Sequence, residues 1–140
     1  MSSEANVVKD LIDRGLQTVR ADMARFDAGL HSMTASSDAP PASALTALRT
    51  ARDDAETARQ ALLHAPGHIR LYQGGSQALT AFLHLNQGLA ALLRGLSSGG
   101  STASRELATA RSLLTRSGDE FLKADRALGC PFGCRKPGTP

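Results

Sequence analysis

Four stretches of the chain repeat apolar residues at alternating spacings of three and four, the pattern that puts side chains on one face of an α-helix. The most apolar stretch runs from Ile69 to Leu96 and carries Leu71, Ala78, Phe82, Leu85, Leu89, Leu92 and Leu96 in one pair of columns. A third column, Tyr72, Leu79, Asn86 and Leu93, widens the stripe beyond a narrow coiled-coil seam, as a helix with several neighbours requires. The fourth, Gly74, Ala81, Gly88 and Gly95, is almost bare of side chain. Glycine costs a helix about 1 kcal/mol relative to alanine, so three of them along one edge predict a neighbouring helix whose backbone comes close. Gln73, Thr80, Gln87 and Arg94, with Gln77 and His84 beside them, form the polar face. This segment is the expected centre of the fold.

The other three stretches are amphipathic. From about Ser3 to Met33, the residues Ile12, Leu16, Val19, Met23, Phe26, Leu30 and Met33 face inward. Lys9, Asp10, Asp13, Arg14, Arg20, Asp22, Arg25 and Asp27 supply the solvated side of that helix. Thr34 to Ser43, with two prolines, reads as a linker. The next helix directs Leu45, Leu48, Ala51, Ala55, Ala58 and Leu62 inward and stops at Ala65, Pro66 and Gly67. After Leu96, the run SSGGST is a flexible connection whose Ser101, Thr102 or Ser104 can cap the last helix. That helix points Leu107, Ala110, Leu114, Phe121, Ala124 and Leu128 inward, with Gly129 as its stop and Pro131 preventing resumption. The pattern predicts an all-α, up-down antiparallel four-helix bundle over residues 1–129, with helices at about 3–33, 41–64, 69–96 and 101–128, and an irregular tail over 130–140.

A shift of 59 residues lays the first two helices over the last two. Ile12, Val19, Met23, Phe26, Leu30 and Met33 then fall on Leu71, Ala78, Phe82, Leu85, Leu89 and Leu92, and Gly15 and Gly29 fall on Gly74 and Gly88. Leu48, Thr50, Ala51 and Arg52 match Leu107, Thr109, Ala110 and Arg111. The repeat is compatible with a duplicated αα-hairpin, but any two heptad-like helix pairs can be slid into such a register.

Composition sharpens the expected core. Only 4% of residues are aromatic, with no Trp and one Tyr, so the interior must be built of Leu and Ala and its helices must lie close together. The net charge of +3 comes from 16 Lys and Arg interleaved with 13 Asp and Glu, a solvated helix surface more than a stripe for phosphates. No nucleic-acid partner is expected, since stacking aromatics are missing and Arg135-Lys136 is too short a basic run. The apolar run Ala78 to Leu93 is broken by Thr80, His84, Asn86, Gln87 and Gly88 and falls short of the ~20 residues of a membrane span. The opening MSSEANVVKD lacks the basic and apolar regions of a signal peptide. A cytoplasmic location is the default; a secreted one follows if a leader was removed or if Cys130 and Cys134 are oxidised.

Chemistry-bearing motifs are few. Cys130 and Cys134, in CPFGC, are compatible with a small disulfide loop, two free thiols or cross-links between chains. Their spacing and the absence of a following His do not fit a c-type haem, and zinc would need two further ligands. His31, His64, His68 and His84 do not converge in an up-down bundle, and the glutamates lack the Glu-x-x-His spacing of a di-iron centre. Nucleophile elbow, phosphate loop and dinucleotide fingerprint are absent. No catalytic residue, metal or cofactor is therefore assigned. Asn86, in an otherwise apolar column, reads as a hydrogen-bonded residue that sets helix register. The expected function is a non-enzymatic helical module that binds an unknown protein partner or itself. The alternative is a small-molecule sensor or carrier with a pocket between the helices near Tyr72, Phe82 and Asn86.

Overall fold

The structure is a computed structural model that describes residues 2–31, 42–65 and 73–129. It is a four-helix bundle of α1 (Ser2–His31), α2 (Ala42–Leu63), α3 (Gln73–Ser97) and α4 (Gly100–Gly129). The linker at 34–41, the stretch holding Tyr72, and the tail with Cys130 and Cys134 lie outside the described residues. Each helix packs antiparallel on the next in the chain, α3 against both α2 and α4, while α1 and α4 meet only over a short stretch. No described helix is long and apolar enough to cross a membrane.

Small side chains set the spacing. The Gly74, Gly88 and Gly95 column of α3 lies against Leu128, Leu114 and Leu107 of α4, so close that a Cβ on Gly74 would stand 2.5 Å from Leu128 Cγ. Between those glycines, the buried Ser117 hydroxyl donates to the Ala81 carbonyl oxygen at 2.8 Å. In α1, Gly15 lies against Ala58 and Phe82, and Gly29 against the backbone of Ala44. The apolar face then forms two joined clusters. One holds Val8, Ile12, Leu62, Ala78, Phe82 and Ala124; the other holds Val19, Phe26, Leu48, Ala51, Ala55 and Leu89. Phe82 is wholly enclosed and meets the edge of Phe121 at a centroid distance of 4.7 Å and an interplanar angle of 78°. Burial of one such ring contributes about 1.5–3 kcal/mol.

The α3–α4 corner is tight. Ser98 N–H donates to the Gly95 carbonyl, and α4 starts with the Gly99 carbonyl accepting from Ala103 N–H. Gly100 takes a φ of 62°, a left-handed backbone that disfavours other residues. Helix α4 therefore begins before the hydroxyl residues expected to cap it.

Several side chains differ from the sequence expectation. Asp22, assigned to the solvated side of α1, is 2% exposed. His84 and Gln77, assigned to the polar face of α3, are half-buried, and Gln77 Oε1 is buried without a hydrogen-bond partner. Leu45 is half-buried and Leu107 is 37% exposed even though it covers Gly95. The two hairpins also differ in register. An offset of 59 would set Ala103 against Gly88, as Ala44 sits against Gly29; the residue there is Leu114, eleven positions later. The glycine columns recur, but the helices that cover them are slid by about three turns.

Candidate functional site

Among the residues singled out from sequence, Phe82 lies in the core and the Asn86 amide donates from Nδ2 to the Arg52 carbonyl oxygen at 3.0 Å. That bond ties α3 to α2. His64 Nδ1 is 2.8 Å from the carbonyl oxygen of Gln60, one turn earlier. His84 Nδ1 is 2.7 Å from Glu120 Oε1, and this pair joins α3 to α4. Ser117 lies one turn before Glu120, but its hydroxyl is spent on Ala81, so no hydrogen-bonded Ser–His relay forms among the described residues. No group of three or more His, Cys, Asp or Glu among them is placed to hold a metal ion.

A second polar feature crosses the α1·α2 interface. Asp22 Oδ1 accepts from Arg25 Nη1, one turn later on α1, while its Oδ2 is buried and receives no N–H donor. Asp54 of α2 shares a hydrogen bond with Asp22. That bond, the removal of water, and repulsion from Asp22 and Asp53 push the Asp54 carboxyl from 3.8 up to about 6, with Arg25 opposing. Two carboxylates in contact cannot both ionise cheaply, so Asp54 keeps its proton up to about pH 6. The sequence held a signal for this: Asp22 stands midway between Gly15 and Gly29, in the place that Ala81 takes between Gly74 and Gly88. The bare column that faces a neighbour therefore includes Asp22.

The third feature is the seam between α1 and α4. Ile12, Asp13, Leu16, Gln17 and Arg20 form one wall, and Gly118, Phe121, Leu122 and Asp125 the other, around an open groove of about 490 Å³. The floor is apolar, from Ile12, Leu16 and Phe121 of the core. The rim is charged. Leu122 is 58% exposed, the most exposed of the large apolar side chains described. Nothing lies within 4 Å of where a Cβ on Gly118 would be, so the groove has an open step one turn before Leu122.

No protein-family model, curated protein or solved structure matches the chain. Function must therefore be argued from these three features alone. The carboxyl pair and the His84–Glu120 pair each bind helix to helix within the bundle. The α1·α4 groove sets the most exposed of the described large apolar side chains above an apolar floor, and it follows from the fold: α1 and α4 are the helices not joined by a hairpin, and no described glycine column draws them together. Sequence reasoning could not find it, because Leu122 is one apolar residue among polar neighbours until α1 is laid beside it.

Proposed function

We propose that the chain is a non-enzymatic helical interaction module that engages protein across its α1·α4 face. The observation that carries this reading is the incompletely closed seam with Leu122 standing out of it above an apolar floor. Apolar side chains ringed by charge are the usual makeup of a contact surface, in which the centre supplies affinity and the rim supplies choice. Covering Leu122 would contribute about 1–2 kcal/mol, given that part of it is already buried.

Purification from the native host, wild type beside Leu122→Asp, tests it. The wild type should elute with a stoichiometric protein or as an oligomer, and Leu122→Asp should elute alone with an unchanged melting temperature. A wild type that elutes alone and monomeric, or a Leu122→Asp variant that keeps its associates in full, would overturn the reading.

A further inference from the structure

We propose that the protein covering the α1·α4 face is a second copy of this chain, placed by a two-fold axis that lies across the helices and sets α1 antiparallel on α1 and α4 antiparallel on α4. The inference rests on the reading of that face as an interaction surface, and its own evidence is the charge pattern on the two helices. Asp13 and Arg20 stand seven residues apart on the α1 wall, with Leu16 and Gln17 between them. On α4, Asp119 and Arg126 also stand seven residues apart, with Leu122 and Lys123 between them. All four charged residues are exposed, and none forms an ion pair with another described residue.

An antiparallel two-fold maps each of these patterns onto itself with the signs opposed. Asp13 meets Arg20 of the other copy and Arg20 meets its Asp13, while Asp119 and Arg126 do the same on the neighbouring helix. The two patterns share one centre to within about a turn, since Leu16 and Gln17 stand in the middle of the α1 wall of the groove that Leu122 lines from α4. One axis therefore satisfies both helices and brings the two Leu122 side chains together beside the open steps at Gly118. The other two-fold in the same plane, parallel to the helices, would lay α1 on α4 and also oppose unlike charges, Asp13 to Arg126 and Arg20 to Asp119. But it sets each exposed Leu122 over Gln17 of the other copy instead of over its twin, so the axis across the helices is the one that joins the apolar surface. Isologous contacts of this kind need only one self-complementary patch. The area suffices: two helices of 30 residues side by side form a face about 45 Å long and about 20 Å wide, on the order of the 800 Å² per partner of ordinary stable complexes.

Sedimentation analysis of the full chain tests the proposal by charge swapping. The wild type should be a dimer that weakens as salt is raised. Asp13→Arg alone, or Arg20→Asp alone, should weaken it at least about tenfold, because each creates two like-charge contacts. The double variant Asp13→Arg/Arg20→Asp should regain the dimer, and an equimolar mixture of the two single variants should form a mixed dimer. Circular dichroism should show all of them folded, since both sites are exposed. A wild type that stays monomeric at its solubility limit overturns the proposal, as do single variants that dimerise like the wild type. If a monomeric wild type still carries a different protein from its host in a Leu122-dependent manner, the second copy is overturned and the interaction reading stands.

Discussion

Replacing Asp54 with asparagine exchanges a proton that comes and goes for an amide that always donates. In the native protein the Asp54 carboxyl is raised from 3.8 to about 6, chiefly by its hydrogen bond to Asp22. The folded protein thus holds this proton more tightly than the unfolded chain does. The stability it contributes is complete below about 3.8 and is lost as pH rises through about 6. At about 1.4 kcal/mol for each pH unit between those values, the full span corresponds to about 3 kcal/mol. Asp54 is partly exposed, and solvent screening reduces the expected effect to about 1–2 kcal/mol. In Asp54→Asn the side-chain amide should keep the bond to Asp22 at every pH. Thermal unfolding followed by circular dichroism from pH 5 to pH 7.5 checks this. About half of that effect falls above pH 5, so wild type should lose about 2–4 °C of melting temperature relative to Asp54→Asn across that range, and the variant should be the more stable protein at neutral pH. Taking the difference between the two removes what other titrating groups contribute. Parallel profiles, or a variant less stable at pH 7, would refute the shared proton.

Two further sets of variants probe the packing. Gly15→Ala would put a Cβ 2.7 Å from Ala58 Cβ and 2.9 Å from Phe82 Cζ, so overpacking should outweigh the gain in helix propensity and cost about 1–2 kcal/mol in urea denaturation. Gly118→Ala meets nothing within 4 Å and should instead stabilise by up to about 1 kcal/mol; the same sign for both would refute the close α1·α2 contact. Asn86→Ala removes the bond to the Arg52 carbonyl and should cost about 1 kcal/mol, read as a lower denaturation midpoint with an unchanged slope.

The four helices, their order and their inward faces were legible in the sequence, because a helix buries residues by their spacing along the chain alone. Even the crowding of α3 was visible, since a run of glycines in one column has little use except to admit a neighbour, and α4 is the neighbour it admits. The same rule read through to its end would have placed Asp22 inside, in the column of Gly15 and Gly29. What the pattern could not supply was pairing between distant helices. Nothing in residues 44–62 says that Asp54 must meet Asp22, nor in residues 100–129 that His84 must meet Glu120, because each contact depends on how far one helix slides along another. That slide is set by the sum of many small side-chain fits, and the eleven-residue difference between the two hairpins shows that a shared column does not fix it. The α1·α4 groove belongs wholly to the tertiary structure. Spacing along the chain determined what each helix would bury; only their assembly decided which face would be left for something else to cover.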